Sequence, residues 1–465
     1  MYLIWCTLFL ASQINAMDNL RVAFEWKVVD FLYPSQEERS LALQNKAFIP
    51  ENNIPMGLEV YKDRLFITIP RWRPGVGASL AYIYLNDTLD NPVLRPYPNW
   101  EAHKMRSNDE SPEIVSPFRI RADQCGRLWV LDTGFTDIAE DTLRDLRPPR
   151  LLVYDLHNDE LLRTHTIPLD QKNNDSFFAN IAVEDHDCED SYAYLADLNK
   201  PGLVVYSWKS QSSWLVKNNY FHFDPLAGAL NVSGVEFVWS DGIFGLALSG
   251  PDSEGFSTLF FHPMISYNEY SVSTRILRNE TLASRSFHEF KLLGSRGPRS
   301  QSGASFFHKK SNVLFYALIN LNAVACWRTT NPHYDMISQG RIFMSNETMV
   351  FPNDIKVDNE DNVWVLSDKL PIFLYKNLDY NEVNFRILTA KVADAIRGTT
   401  CDSKLVVIPT IVDKIKPIMK NNELMMNTNG NSNNMNTNRD MRSSSNRIYH
   451  TTFVLVSLTV FAILY

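Results

Sequence analysis

The sequence predicts an all-β protein, a six-bladed β-propeller whose blades are four-stranded antiparallel sheets. Three observations lead to this prediction. A hairpin pattern recurs six times, each copy carries an aromatic residue at a similar place in its second strand, and further β-rich runs separated by turn residues follow each copy. A set of β-sandwiches would not repeat one order of strands at a roughly constant period, so the propeller is favoured.

The clearest copy of the hairpin is the last one, FPNDIKVDNEDNVWVLSD, at residues 351–368. A strand-like run ends at Val357, an acidic turn follows, and Trp364 lies in the second strand. The equivalent aromatic residues of the earlier copies are predicted to be Phe66, Trp129, Tyr194, Phe244 and Phe315.

The strand before each aromatic strand is predicted to be the innermost of its blade. In the fourth copy this strand would be SGVEFVWSDG, which begins at Ser233. The segment FEWKVVDFLYP, before the first copy, is predicted to join the last blade and close the ring, which leaves no open sheet edge. The propeller domain is predicted to cover residues 17–412.

Residues 1–16, MYLIWCTLFLASQINA, predict a secretory signal peptide, because this apolar run is short for a membrane span and ends in a small residue. The run contains no lysine or arginine, and Ile14 stands where a small residue is usual. An uncleaved anchor and a buried strand therefore stay open as alternatives. Cleavage would remove Cys6.

The four remaining cysteines predict two disulfides, because an even number of cysteines in an oxidising compartment favours pairing. Three connectivities are open. Cys125 and Cys188 are about one repeat apart in the sequence, and so are Cys326 and Cys401. This spacing favours pairing within each of these two pairs. Five N-x-S/T sequons also predict a secreted, glycosylated surface. They are Asn86, Asn174, Asn231, Asn279 and Asn346.

The end of the chain differs in composition from the repeats. Residues 413–446 are rich in Asn, Ser and Met without apolar periodicity, which predicts a disordered tail. Residues 447–465 are apolar but short for a spanning helix. Small residues at 443–445, a brief polar spacer and this apolar segment resemble a GPI-anchor signal. A membrane helix at the chain end and a merely apolar end stay open.

Charge and motifs exclude several function classes. The net charge is −8 without basic clusters, so nucleic acid is not a predicted partner. The sequence contains no G-x-S-x-G, H-E-x-x-H or phosphate-binding loop motif, no catalytic residue is assigned, and no cofactor is predicted. His186 could act as an acid or base, but a histidine in a surface turn is the simpler interpretation.

The beginnings of the innermost strands should lie at one mouth of the channel, where a small ligand can be held. Asn180 and Asn353 stand at equivalent positions of their repeats. Asparagine is uncommon in strands unless its side-chain amide makes hydrogen bonds. One hypothesis is that these amides and the Asp354 carboxylate contact a ligand amine while a phenylalanine stacks on its ring. Strand capping and ordered water are the simpler alternative. The predicted ligand-binding set is Phe118, Asn180, Ser302, Phe306, Asn353 and Asp354.

No metal site is predicted. Calcium at this mouth is disfavoured, because the first blade offers Met56 and Gly57 where an acidic residue would be needed. The acidic cluster Glu184, Asp185, Asp187, Glu189 and Asp190 falls at a hairpin turn and is expected to be solvated.

Several long stretches resemble the yellow and major royal jelly proteins of insects. The resemblance covers nearly all of the propeller and implies a secreted six-bladed fold. It also implies a role in cuticle pigmentation and melanin chemistry, in egg coverings, or in binding small amines. The most specific stretches are FEWKVVDF, SPFRIRADQCGRLWVLDTG, FFANIAVEDHDCEDSYAYLAD, VWSDGIFGLALS, RGPRSQSGASFF and FPNDIKVDNEDNVWVLSD.

The expected function is that of a secreted, extracellular yellow-type protein in cuticle or matrix pigmentation that binds a small aromatic or biogenic amine, or a catechol, in its channel. The alternative is a dopachrome-converting, tautomerase-type enzyme, which needs only a positioned base and polar groups around an oxygen. A structural or signalling matrix protein with an empty channel is a third hypothesis, and a channel plugged by large side chains would distinguish it. Membrane contact is expected only through a C-terminal lipid anchor.

Overall fold

The computed structural model describes residues 18–104, 113–140 and 143–403. Six four-stranded antiparallel sheets form a propeller there, so the predicted fold class is confirmed. The predicted signal peptide, disordered tail and apolar C-terminal segment lie outside the described residues. Within those residues, no helix has the length and apolar character needed to cross a membrane.

The strands of the first three blades follow the chain closely. The first strand, β1 (Arg21–Trp26), belongs to the last blade. Two short hairpins lie outside the blades, one inserted in the second blade and one after the third. In chain order the strands are, for the first blade, β2 (Gly57–Tyr61), β3 (Arg64–Thr68), β4 (Leu80–Tyr84) and β5 (Arg95–Pro96); for the second, β6 (Pro117–Ala122) and β7 (Arg127–Asp132), the inserted hairpin β8 (Phe135–Thr136) and β9 (Arg144–Asp145), then β10 (Arg150–Asp155) and β11 (Leu161–Thr166); for the third, β12 (Phe178–Glu184), β13 (Tyr192–Asp197), β14 (Gly202–Ser207) and β15 (Ser212–Val216), followed by the hairpin β16 (Ala229–Val232) and β17 (Val235–Val238).

The last three blades complete the ring, and the first strands of neighbouring blades contact one another all the way around the channel. β1 pairs antiparallel with the last strand, with Trp26 opposite Phe385, so the predicted closure is confirmed. The remaining strands are, for the fourth blade, β18 (Ile243–Leu248), β19 (Thr258–Pro263), β20 (Asn268–Ser273) and β21 (Lys291–Ser295); for the fifth, β22 (Ser302–His308), β23 (Val313–Leu318), β24 (Ala323–Arg328) and β25 (Gln339–Met344); and for the sixth, β26 (Pro352–Val357), β27 (Asn362–Ser367) and β28 (Phe385–Lys391).

Helices are short and connect the strands. The longest of those described, α1, begins after Ser35, whose hydroxyl accepts the Glu38 N–H and caps its first turn. The α-helices are α1 (Gln36–Gln44), α2 (Thr274–Leu277), α3 (Glu280–Arg285), α4 (Leu370–Tyr375) and α5 (Val392–Ala395). Single 3₁₀ turns lie at Pro50–Asn52, Glu101–His103, Leu169–Gln171, Asn219–Phe221, Pro225–Ala227 and Phe287–Glu289.

The predicted fourth hairpin is wrong. Val235–Val238 form β17, which pairs with β16 around a two-residue turn in which Ser233 and Gly234 have φ of 51° and 77°. Positive φ at both positions is typical of a tight surface hairpin. The innermost strand of the fourth blade is instead β18, which contains Phe244. The residue equivalent to the other five aromatics is Phe260 in β19.

An aspartate and a tryptophan recur in two of the hairpins because their side chains are joined by a hydrogen bond. The indole N–H groups of Trp129 and Trp364 donate to the carboxylates of Asp123 and Asp358, each at 2.8 Å. The same carboxylates accept backbone N–H groups of the turns between the strands. Each pair therefore fixes a tight turn and positions a large side chain that is buried among the apolar residues of the blades.

The predicted disulfide pairing is confirmed. Cys125 and Cys188 join the turns that follow the innermost strands of the second and third blades, whereas Cys326 in β24 pairs with Cys401 near the end of the described chain. All five sequon asparagines are exposed, so each is accessible to a glycosyltransferase, and glycosylation stays a prediction.

Candidate functional site

Six residues, one on each innermost strand, occupy the same register position and form a layer around the channel, here called the middle layer. Each is the cross-strand partner of the recurring aromatic residue of its blade. Ala182 and Ala247 on the third and fourth blades are small, which leaves space opposite the larger members. The middle layer consists of Glu59, Arg121, Ala182, Ala247, Phe306 and Lys356.

This space is a cavity at the end of the channel where the innermost strands finish, here called the open end. A deep part of about 50 Å³ is lined by five members of the middle layer and by Asn180, Ser305 and Lys309. An outer part of about 200 Å³ shares Arg121, Phe306 and Lys309 with it and extends to the turns. The open end therefore combines an aromatic face with several charged groups.

Arg121 is a fixed cation in the wall of this cavity. Its guanidinium donates to Glu59 Oε2 at 2.9 Å and lies 4.8 Å from the centre of the Phe306 ring. Burial disfavours its charge, but the carboxylates of Glu59 and Asp185 outweigh burial and raise the pKa of Arg121. The guanidinium and the ring thus form a preorganised pair.

Two lysines add to the positive charge of the cavity. Lys356 Nζ donates to Asp354 Oδ1 at 2.6 Å, and Lys309 Nζ lies 3.9 Å from Asp185 Oδ1. Burial lowers the pKa of both lysines. The Ser305 hydroxyl, also in the wall, is buried without a hydrogen-bond partner among the described residues.

The opposite end of the channel, where the innermost strands begin, is filled and is here called the closed end. Arg119 lies across it, fully buried, and donates to Met56 O at 2.6 Å and to both the carbonyl and the side-chain oxygen of Asn353 at 2.7 Å. Gly57 makes room for this arginine, since a Cβ at that position would lie 2.7 Å from Phe118 O and 3.4 Å from Arg119 Cδ.

Two buried aspartates complete the closed end. Asp354 accepts the N–H groups of Leu58 and Ile355 at 2.9 and 2.8 Å and lies 3.5 Å from Arg119 Nε. The Asn353 amide donates to Asp368, and burial raises the pKa of Asp368 to about 8. The polar groups of Asn353 and Asp354 are thus used within the chain.

An aromatic cluster seals the closed end. Phe118 stacks on Trp72 with ring centres 5.6 Å apart and meets the edges of Phe177 and Phe244 at 5.4 and 6.2 Å. All four side chains are buried. The aromatic cluster belongs to the same apolar core as the hairpin β16–β17 and helix α4, which are joined by a hydrogen bond from Trp239 Nε1 to Tyr375 Oη at 2.7 Å.

The structure divides the predicted ligand-binding set between the two ends. Phe118, Asn353 and Asp354 lie at the closed end, and Ser302 is fully buried. Asn180 lines the deep cavity but its amide donates to Phe244 O at 2.7 Å. Phe306 lies at the open end.

Sequence reasoning missed the charged members of the middle layer. Arg121 and Lys356 each stand two residues beyond a polar residue that fills the closed end, in the stretches FRIRAD and NDIKVD. A charged residue inside an otherwise apolar innermost strand was the available signal, because such a residue needs a partner or a cavity.

The acidic cluster is only partly solvated. Glu184 and Asp185 are buried, whereas Asp187 and Glu189 are exposed. Glu184 accepts the Tyr194 hydroxyl at 2.6 Å and pairs with Arg278 at 2.9 Å, and these buried partners explain why the expectation was wrong for it.

His186 is partly buried, and its Nε2 lies 2.8 Å from Ser257 Oγ. Burial lowers its pKa. Within the described ranges, His, Cys, Asp and Glu side chains form no group of three or more that could hold a metal ion.

The chain was compared with protein-family models, with curated proteins and with solved structures. The family model "Major royal jelly protein" matches residues 115–401. "Protein yellow" of Drosophila erecta is 42% identical over 388 residues, covering 83% of this chain and 71% of that protein. "Protein yellow" of Drosophila melanogaster is 41% identical over the same length and with the same shares. Among solved structures, the calcium-binding protein regucalcin of Agrobacterium tumefaciens has a TM-score of 0.43 and 8% identity, covering 73% of this chain and 90% of that one.

Proposed function

The chain belongs to the yellow and major royal jelly protein family, and from this membership we propose that it acts in the pigmentation of cuticle or another extracellular matrix, within melanin chemistry. Its molecular role is to bind a small aromatic compound, a catechol or an aromatic amine, at the open end of the channel. The observation that carries this proposal is the pair formed by Arg121 and Phe306 in the wall of the cavity.

The chemistry of the cavity supports a ligand with a single ring system. The Phe306 face offers stacking, and the Arg121 guanidinium lies against the same ring. The volume of about 200 Å³ is smaller than typical pockets for drug-sized molecules, which favours a compact ligand.

Secretion is part of the same proposal. Two disulfides are typical of proteins that mature in an oxidising compartment, and the five sequons are all exposed. Treatment of the secreted protein with an N-glycosidase should increase its electrophoretic mobility. Unchanged mobility would contradict glycosylation at these sites.

Calorimetric titration of the purified protein with dopamine, serotonin and 3,4-dihydroxyphenylacetate tests the binding role. We expect Phe306→Ala to weaken binding about tenfold, because base-like stacking on an aromatic face is worth about 1–3 kcal/mol. Phe223→Ala, at an exposed phenylalanine away from the channel, is the matched control and should bind as the wild type does. Absence of heat with all three compounds at high micromolar concentration would remove the binding role.

The dopachrome-converting alternative has one specific observation in its favour. Burial lowers the pKa of Lys309 and Lys356 beside the cavity, so a neutral amine is more accessible there as a proton acceptor. Loss of dopachrome absorbance faster than with heat-killed protein, and slowed about a hundredfold by Lys309→Met, would support it. Equal rates with live and heat-killed protein would exclude it.

A further inference from the structure

We infer that the open end selects flat aromatic ligands that carry a carboxylate over the matching amines. This inference rests on the proposed binding role and specifies its ligand class. The charged groups of the cavity wall differ in this respect: some already have partners within the chain, and others remain available to a ligand.

Five carboxylates line the wall, and the chain supplies donors to each of them. Three belong to the outer part and accept side-chain donors: Asp123, Asp358 and Asp361. Glu59, almost fully buried, accepts the Val60 N–H at 3.0 Å, the Ala122 N–H at 3.2 Å and the Arg121 guanidinium. Asp185, also buried, accepts the Gln124 N–H at 2.8 Å. A ligand ammonium would therefore compete with donors that the fold already supplies.

The cations of the wall retain donors. Among the described residues, Arg121 makes one hydrogen bond, through Nη1, so its Nε and Nη2 have no acceptor there, and its side chain is 23% exposed. Lys309 makes no hydrogen bond within the described part of the chain and lies 3.9 Å from its nearest carboxylate partner, with its side chain half exposed. An arginine and a lysine with unused donors are well suited to a carboxylate.

The shape of the middle layer supports the aromatic part of the ligand. Ala182 and Ala247 leave room on one side of the cavity, and the Phe306 ring lies beneath the Arg121 guanidinium. A ring that packs beside Phe306 would place an attached carboxylate near Arg121 and Lys309. Lys356 adds positive charge from the sixth blade, although Asp354 accepts one of its donors.

The test compares two compounds that share a catechol ring and a two-carbon side chain, 3,4-dihydroxyphenylacetate and dopamine, titrated calorimetrically into the full-length protein. The acid should bind about tenfold more tightly, because hydrogen bonds to charged groups are worth about 1.5–3 kcal/mol. Arg121→Gln should remove that preference by weakening the acid alone. Lys309→Gln changes a partly exposed side chain that carries no fold-critical contact. This substitution should reduce the preference for the acid over dopamine about threefold.

Arg341→Gln, at an exposed arginine on β25, is the matched control for loss of one positive charge and should leave both affinities unchanged. Tighter binding of dopamine, or equal binding of the two compounds, would overturn the inference and leave the binding role standing. No binding of either compound would overturn both. Equal displacement of the acid by acetate or inorganic phosphate would show a general anion site and overturn the aromatic selectivity.

Discussion

The two ends of the central channel contain the same kinds of side chain, and they differ in how those side chains are used. At the closed end, Arg119 donates to three backbone carbonyls and an amide oxygen, and Asp354 accepts three donors from the chain. At the open end, Arg121 makes one hydrogen bond to the described part of the chain and lines a cavity. Removing a partner from a buried charge network destabilises a fold, whereas unused donors beside a cavity favour ligand binding.

The largest expected effect separates the two arginines. Arg119→Met should lower the free energy of unfolding by about 3–5 kcal/mol, because it leaves Asp354 and the carbonyl oxygens of Met56 and Asn353 buried with one partner fewer. Arg121→Met should cost less than half as much, because Glu59 keeps its backbone donors. Urea unfolding followed by tryptophan fluorescence measures both values. An equal loss of unfolding free energy in the two variants would mean that both arginines only stabilise the fold.

The two phenylalanines give the second comparison. Phe118→Ala should destabilise the protein by about 3–4 kcal/mol, because the ring is buried within the aromatic cluster of Trp72, Phe177 and Phe244. Phe306→Ala should cost about 1–2 kcal/mol, because this ring is partly exposed in the cavity. A larger loss of stability for Phe306→Ala than for Phe118→Ala would contradict the assignment of the ends.

The two disulfides sharpen the same contrast. Each should contribute about 2–4 kcal/mol to stability. Cys125 and Cys188 flank Gln124 and Asp185 in the cavity wall, so the pair of changes Cys125→Ser and Cys188→Ser should also weaken binding of 3,4-dihydroxyphenylacetate. Cys326→Ser with Cys401→Ser is the control, since that disulfide lies away from the cavity. Equal affinity in the two double variants would argue against a role for the first disulfide in shaping the site.

The last expected effect, measured as a slope of stability against pH, concerns the closed end. Burial raises the pKa of Asp368 to about 8, so the folded chain holds a proton that an unfolded aspartate has lost. This contribution to stability is complete below about pH 4 and is lost as the pH rises toward 8. In the wild type, the free energy of unfolding should fall by up to about 1.4 kcal/mol per pH unit in this range. Asp368→Asn should abolish this fall. Parallel stability curves for wild type and variant between about pH 5 and 8 would contradict it.

The sequence predicted the ring because its hairpins repeat locally. The tryptophans Trp129 and Trp364 with their aspartate partners stand six residues apart, so one stretch of chain contains the whole motif. The fourth blade was misassigned because β16 and β17 also form a hairpin, and because both Phe244 and Phe260 could supply the aromatic residue.

The site was harder to predict than the fold because its contacts join distant parts of the chain. Asn353 and Asp354 are polar residues in a strand, which suggests a ligand. Their partner Arg119 is 234 residues away from Asn353, and the repeat pattern gives no information on that pairing. The register of β6 and β26, which the structure supplies, is what distinguishes Arg121 and Lys356 as cavity residues.

The most direct test of the account is a crystal structure of the protein with 3,4-dihydroxyphenylacetate. The account predicts electron density for the ring beside Phe306 and for the carboxylate next to Arg121, with Arg119 and Asn353 unchanged. Density for the ligand among Trp72, Phe118 and Asn353, with Arg119 displaced, would contradict the assignment of the open and closed ends.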